Sequence, residues 1–134
     1  MIEIYAVGGY NEVGKNCTAI NIDGEVLIID LGIHLENYIK LTEDEDLVKI
    51  DASKLINVGA VPNISVLEKI KDKVKAIVIS HAHLDHVGAV PYIADKFDAP
   101  VICGPYTTEI IRSILKEDRI KLKNDIKTVN INSQ

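Results

Sequence analysis

Alternating apolar and polar residues open the chain and predict three β-strands. Residues 2–7 and 17–22 each alternate, and residues 25–29 follow as an apolar strand. Asp23-Gly24, between the second and third strands, is typical of a two-residue hairpin turn. We therefore predict a β-meander that ends at Asp30.

The regular pattern is lost between Leu31 and Pro62, and this stretch is predicted to be a solvated loop. It contains the acidic run 43–46. Asn63 is a favourable helix cap, and the apolar residues after it predict a short helix through Lys71. The apolar run 74–79 predicts a buried strand.

Strands and helices alternate in the remainder of the chain. Apolar residues at helical spacing predict a helix over residues 87–97, and residues 99–103 predict a short strand. A second helix begins at Gly104-Pro105, and residues 126–131 predict a last strand. Strands first, followed by strand–helix alternation, predict an α/β fold with a mixed sheet.

The composition narrows the class of protein. The chain has 134 residues, of which 47% are hydrophobic, enough for the core of one domain. Its strongly apolar runs are far shorter than the roughly 20 residues of a membrane span, and no signal peptide is expected. The widely separated Cys17 and Cys103 are expected to be buried thiols in a reducing cytoplasm. Because the net charge is −5, any contact with nucleic acid needs a local basic surface.

A glycine-rich segment has the spacing of a phosphate-binding P-loop, Gly9-x4-Gly14-Lys15. Asn16 stands where Ser or Thr is required, and the residues after it predict a strand rather than a helix. Without a helix there is no N-terminal dipole to bind phosphate. A tight loop that connects two strands is the better interpretation.

The strongest chemical signal follows the strand at residues 74–79. Three of the four histidines and an aspartate lie within residues 80–88, Ser80-His81-Ala82-His83-Leu84-Asp85-His86-Val87-Gly88. In an extended loop, His81 and His83 project to the same side and can bind one metal ion. Asp85 and His86 lie where the backbone turns into the next helix and can bind a second ion about 3.5–4 Å from the first. A hydrogen-bonded loop that binds no metal is the alternative. The ligand types favour zinc, and the carboxylate makes manganese possible.

This strand, loop and helix resemble the metallo-β-lactamase superfamily. Four further segments resemble its β-CASP nuclease group, within it the ribonuclease J family of archaeal type: Gly8–Asn16, Val26–Gly32, Val87–Ile93 and Pro100–Thr107. The resemblance implies the N-terminal portion of an αββα fold, with helices on the outer face of a mixed sheet.

The resemblance also implies roles for single residues. His81 and His83 would bind the first zinc ion, and Asp85 and His86, the candidate catalytic residues, would bind the second. Asp30 would orient a metal ligand from behind, as a carboxylate at a strand end can. His34 has no counterpart and is expected to be a surface histidine.

The number of ligands predicts that the site is incomplete. Two catalytic zinc ions need five or six protein ligands, and residues 81–86 supply four. We therefore expect residues 1–134 to be a partial metallo-β-lactamase domain, the N-terminal piece of a longer enzyme, which lacks the β-CASP insertion and the remaining metal motifs. This piece alone is expected to be inactive.

The resemblance implies that the whole enzyme is a zinc-dependent ribonuclease that hydrolyses RNA phosphodiesters. The expected activity is that of a 5′-to-3′ exonuclease, with endonuclease activity as a second mode. RNA is the expected partner, with no membrane contact, a cytoplasmic location and a possible homodimer or larger oligomer. The alternatives are a pre-mRNA 3′-end-type β-CASP nuclease, a small-molecule hydrolase of the same superfamily, and an inactive half-domain that binds a partner. A redox di-iron relative is a further alternative. It is disfavoured because that group has Glu at the position that His83 occupies here.

Overall fold

A computed structural model describes residues 1–44, 50–130 and 132 of the chain. Its centre is a six-stranded sheet in which the strands stand in chain order. The strands are β1 (Ile2–Gly8), β2 (Cys17–Ile22), β3 (Glu25–Ile29), β4 (Val74–Val78), β5 (Val101–Cys103) and β6 (Ile126–Thr128).

The sheet is mixed. β1, β2 and β3 form an antiparallel meander, in which Ile2 pairs with Ile22 and Ile20 with Leu27. The hairpin turn between β2 and β3 has positive φ at both central residues, 49° at Asp23 and 94° at Gly24, as a primed turn requires. β3, β4, β5 and β6 are all parallel to one another. The predicted meander is confirmed.

Helices cover one face of the sheet. They are α1 (Leu35–Asp44), α2 (Ala52–Asn57), α3 (Leu84–Val87), α4 (Val90–Ile93) and α5 (Pro105–Glu117), with 3-10 turns at Ile64–Leu67, Lys71–Lys73 and Ala94–Lys96. Between helices and sheet lies the core, which includes the fully buried Val26, Ile28, Ile77, Val101 and Ile111. The predicted fold class, α/β with a mixed sheet and helices on its outer face, is confirmed.

The opposite face of the sheet is open in the described part of the chain. Its central side chains are apolar and only partly buried: Ile20, Leu27, Ile29, Val78 and Ile102. Towards the edge of the sheet, Ile2 and Ile4 of β1 are each 67% exposed. Within the described ranges, the sheet therefore has one face covered by helices and one apolar face without a covering layer.

The prediction of a loop between Leu31 and Pro62 is wrong, because α1 and α2 lie there. Tyr38 packs against the core, and its hydroxyl hydrogen-bonds that of Tyr92 at 2.9 Å. In α2, Asp51 caps the helix and Leu55 is fully buried. The many charged residues of this stretch concealed a few apolar residues at helical spacing. Part of the acidic run 43–46, at residues 45 and 46, lies outside the described residues.

Two predicted helices are shorter than expected. Asn63 does accept a hydrogen bond as a cap, from Ser65 N at 3.2 Å, but only a 3-10 turn follows it. The helix predicted over 87–97 is divided into α4 and a 3-10 turn, and α3 precedes it. Ile93, with φ −127°, ends α4 in a non-helical conformation. Of the last predicted strand, residue 131 lies outside the described residues.

Candidate metal centre

The candidate site lies where β3 and β4 end. Both strands run in the same direction, so Asp30, directly after β3, lies beside the residues that follow β4. The Asp30 N–H donates to the Val78 carbonyl at 2.9 Å, which continues the pairing past the end of β3. The parallel arrangement thus brings the Asp30 carboxylate and residues 80–88, here called the histidine loop, to the same end of the sheet.

Asp30 binds two parts of the histidine loop at once. Its carboxylate accepts hydrogen bonds from Ser80 N at 2.7 Å and Ser80 Oγ at 2.9 Å. Its Oδ2 also lies 2.8 Å from Nδ1 of His86. The residue is 7% exposed and has φ 63°, a left-handed conformation that aspartate tolerates better than most residues. It is therefore placed to fix the ring of His86 from behind.

The three predicted histidine ligands form one cluster. The ring centroid of His81 lies 4.6 Å from that of His83 and 4.1 Å from that of His86. Ser80 Oγ is 2.9 Å from Nδ1 of His81, so the opposite nitrogen, Nε2, is the one that remains for a ligand. The spacing of these histidines in the sequence predicts that their side chains lie close together, and their rings are adjacent in the structure.

Asp85 and His86 face each other. Asp85 Oδ2 lies 3.4 Å from His86 Nε2. The Asn16 amide nitrogen lies close to both atoms, at 3.2 Å and 3.3 Å, and donates to the Asp85 carbonyl at 3.0 Å. Asn16 therefore positions the two ligands that were predicted for the second metal ion.

Backbone hydrogen bonds join three loops around these ligands. Leu31 N donates to His86 O at 2.9 Å, Ile33 N to Leu84 O at 3.0 Å, and Asn16 N to Asp85 O at 3.0 Å. The segments approach so closely at Gly32 that an added Cβ would lie 1.6 Å from Asp85 O. Glycine is the residue that permits this crossing.

Two of the candidate donor atoms, on His86 and Asp85, are spaced as a divalent metal ion requires. A proton on His86 Nδ1, donated to Asp30, leaves the lone pair of Nε2 facing the Asp85 carboxylate, which is the ligating form of imidazole. Two ligands of a tetrahedral ion at about 2.1 Å lie about 3.4 Å apart, and the Nε2–Oδ2 distance is 3.4 Å. Within the described residues, however, no three Asp, Glu, His or Cys side chains are arranged as a metal-holding group.

The glycine-rich segment is a connecting loop, as predicted. Residues 9–14 form bends, and β2 rather than a helix follows Asn16. Lys15 Nζ lies 3.0 Å from Glu12 Oε1, so its charge is paired within the loop. Neither a helix dipole nor an unpaired lysine is available here for a phosphate.

The remaining candidates have structural roles. His34 is partly buried rather than fully exposed, and its Nδ1 accepts a hydrogen bond from Asn37 N at 3.3 Å in the first turn of α1. Cys17 and Cys103 are buried free thiols, as expected. Burial, and secondarily the charge of Asp30, raises the pKa of the Cys17 thiol to about 12.

The sequence of residues 10–126 matches the metallo-β-lactamase superfamily, and the chain belongs to this family. Membership implies that it binds divalent metal. This match confirms the resemblance to the superfamily that was predicted from the histidine loop.

Among individual proteins, the chain is similar to archaeal ribonucleases J. It is 47% identical over 130 residues to "Ribonuclease J" of Methanocaldococcus jannaschii, covering 96% of this chain and 29% of that protein. It is 40% identical over 132 residues to "Ribonuclease J" of Pyrococcus abyssi, covering 97% and 29%. The predicted resemblance to ribonuclease J is confirmed, and the chain spans 29% of the length of these relatives.

A solved structure shows the same fold. The crystal structure of a protein of unknown function from Enterococcus faecalis V583 superimposes with a TM-score of 0.64 at 17% identity. The match covers 95% of this chain and 33% of that chain.

Two residues of the site escaped sequence reasoning. In the sequence, Asn16 belongs to the glycine-rich segment and Ser80 to the start of the histidine segment, and neither is predicted to contact a metal ligand. Asn16 lies 69 positions from its partner Asp85, so no local pattern could have revealed the contact. For Ser80, the sequence offered one signal, namely that a polar residue stands directly before the first of these histidines.

Proposed function

We propose that this chain carries the first metal motif of a longer metallo-β-lactamase domain, and that the whole protein is a metal-dependent ribonuclease. Family membership supports hydrolysis with divalent metal, and both archaeal relatives are named ribonuclease J. The observation that carries the proposal is the line Asp30–His86–Asp85, with contacts of 2.8 Å and 3.4 Å. This arrangement supports the proposal because it would hold the His86 imidazole in its ligating form beside a second candidate ligand.

The residues of the chain would divide the work as follows. His81 and His83 would bind one ion, and Asp85 and His86 the other. Asp30 and Asn16 would orient His86 and Asp85. When bound, divalent metal lowers the pKa of water and stabilises the charge on the attacking and leaving oxygens of a phosphodiester. Asp85 and His86 are thus our candidates for the catalytic residues.

The finer properties are part of the same proposal. Imidazole-rich ligands favour zinc, and the Asp85 carboxylate permits manganese. For the whole enzyme we propose RNA as substrate, 5′-to-3′ exonuclease activity with endonuclease activity as a second mode, a cytoplasmic location and self-association. Among the described residues, no helix is long and apolar enough to cross a membrane.

The chain by itself is proposed to be inactive. A catalytic zinc ion takes three protein ligands and a water, and the described residues do not supply such a group. We propose that the remaining ligands come from outside the described residues.

The full-length enzyme provides the test. We expect His81→Ala and Asp85→Ala each to abolish cleavage of a 5′-monophosphorylated RNA in the presence of zinc, because each removes a metal ligand. Asp72→Ala is the control, since Asp72 is an exposed carboxylate outside the site. Unchanged RNA degradation by either ligand variant would refute the assignment.

A further inference from the structure

The side-chain amide of Asn16 contacts two candidate metal ligands at the atoms that would bind the ion. Its nitrogen lies 3.2 Å from Asp85 Oδ2 and 3.3 Å from His86 Nε2. These two ligand atoms are themselves 3.4 Å apart, so the three atoms form a nearly equilateral triangle. The same nitrogen donates to the backbone carbonyl of Asp85 at 3.0 Å.

The surroundings of Asn16 determine which way the amide faces. The carbonyl and the ionised carboxylate of Asp85 only accept hydrogen bonds, so the amide nitrogen must face them. The amide oxygen lies against Gly9, where an added Cβ would come within 2.3 Å of it. The backbone is also fixed, because Asn16 N donates to Asp85 O and Gly32 N donates to Asn16 O, both at 3.0 Å.

The amide has two hydrogens for three acceptors. The Asp85 carbonyl, at the shortest of the three distances, takes one, which leaves the other for Asp85 Oδ2 and His86 Nε2. With the proton of His86 on Nδ1 and donated to Asp30, Nε2 has a single lone pair. A metal ion needs that same lone pair. The amide and the ion therefore compete for His86.

We propose that Asn16 is a placeholder for the metal ion. Its amide holds Asp85 and His86 side by side before the ion binds, and it turns away from their ligand atoms when the ion binds. The proposal rests on the proposed role of these two residues as metal ligands. The hydrogen bond to the Asp85 carbonyl involves no ligand atom, so the ion does not compete with it.

The direction of the effect distinguishes a placeholder from a residue that only supports the site. If Asn16 also held the ligands in the metal-bound protein, its loss would weaken zinc binding. A placeholder stabilises the metal-free protein alone, so its loss strengthens zinc binding by the same free energy. One ordinary hydrogen bond corresponds to a change in affinity of about two- to tenfold.

The test is a calorimetric zinc titration of the full-length protein after its metal has been removed with a chelator. We expect Asn16→Ala to bind the ion at Asp85 and His86 about fivefold more tightly than the wild-type protein. Asn124→Ala is the matched control. The Asn124 amide nitrogen also contacts three acceptors, the carbonyls of residues 94, 97 and 99 at 3.1, 2.9 and 2.8 Å. It precedes β6, at the opposite end of the parallel strands, so its loss should leave zinc affinity unchanged.

Unchanged or weaker zinc binding by Asn16→Ala would overturn the placeholder and leave the metal site intact. A crystal structure of the zinc-loaded wild-type protein gives a second test that does not depend on the variant. Zinc should bind His86 Nε2, and the Asn16 nitrogen should lie beyond hydrogen-bond distance of that atom. An unmoved amide beside bound zinc would overturn the placeholder. Absence of zinc binding by the wild-type protein would overturn the proposed function as well.

Discussion

At the scale of single residues, Asp30 connects the end of β3 to the candidate metal ligands that follow β4. Its two carboxylate oxygens contact Ser80 and His86, and its φ of 63° directs the side chain to them. Partners of this kind set the tautomer and orientation of a metal-ligating histidine. We therefore expect Asp30 to influence metal binding through His86.

Asp30→Asn should weaken zinc binding by the full-length protein about 10- to 100-fold, as losses of such partners commonly do. The amide has nearly the same shape and tolerates the same backbone conformation, but it lacks the charge and one acceptor oxygen. Calorimetric titration with zinc measures the change. Asp23→Asn is the control, because Asp23 also has positive φ, 49°, and is exposed far from the site. Wild-type affinity in Asp30→Asn would contradict this role.

Cys17 should make the protein less stable in alkali. Its pKa is raised by burial, and further by the charge of Asp30, to about 12, against an ordinary value of 9.0. Below pH 9 the thiol is protonated in both the folded and the unfolded chain. Between pH 9 and 12 it ionises only when unfolded, so the free energy of unfolding falls as pH rises.

Urea unfolding at pH 8 and pH 10 measures this effect. Cys17→Ala should show a smaller loss of stability between the two pH values than the wild-type chain. In a Cys103→Ala background, iodoacetamide should modify native Cys17 negligibly at pH 8, since little thiolate is present. Rapid alkylation of the folded protein would speak against the raised pKa.

The sequence shows the candidate metal ligands, but among the residues that contact them it predicts only Asp30. His81, His83, Asp85 and His86 fall within six positions, so a local pattern shows them. Asp30 is predicted because residues 26–32 resemble a family motif in which an aspartate at a strand end supports the metal loop. Asn16 reaches its partners across 69 and 70 positions, and only the folded sheet brings them together.

At the scale of elements, the site depends on how closely the loop after β3 crosses the histidine loop. Gly32→Ala should destabilise the full-length protein by about 3 kcal/mol or more, because the new Cβ would overlap Asp85 O. It should also displace Asp85 and so weaken zinc binding. Urea unfolding and zinc titration measure the two effects.

Gly104→Ala is the matched control, since an added Cβ there meets no atom within 4 Å. It should leave both stability and zinc affinity close to wild type. If Gly32→Ala behaved in the same way, the close crossing would have no energetic importance.

Strands were easier to predict than helices, for a physical reason. In β2 every second residue from Cys17 to Asn21 is buried, and β3 is a continuous apolar run after Glu25, so a local pattern shows these strands. In α1 the apolar anchors Tyr38 and Leu41 are separated by Lys40 and by Ile39, which is exposed. The helix is stabilised by tertiary contacts such as the Tyr38–Tyr92 hydrogen bond. Such contacts are invisible to a local pattern.

At the scale of the whole molecule, the described residues form a core on one side of the sheet. They do not supply a complete set of ligands for the candidate metal centre at the ends of β3 and β4. We expect the 134-residue chain by itself to bind zinc weakly, with fewer than two tight sites, and to leave RNA intact. The reason is the shortage of ligands, since three side chains are needed for each catalytic ion. Calorimetric titration and an RNA cleavage assay check this.

The matched comparison is the full-length protein under the same conditions. It should show two tight sites and cleave RNA. Two tight zinc sites in the short chain, or clear nuclease activity, would show that residues 1–134 are sufficient.

The open face of the sheet has a practical consequence for anyone who isolates this chain. Ile20, Leu27 and Ile29 form an apolar surface on a folded sheet, and the edge strand β1 has no partner on its outer side in the described part. Fluorescent dyes such as anilinonaphthalene sulfonate bind surfaces of this kind, and their signal is commonly read as loose packing. In this molecule dye fluorescence would report a well-formed sheet that lacks its cover, and near-ultraviolet circular dichroism would distinguish the two states.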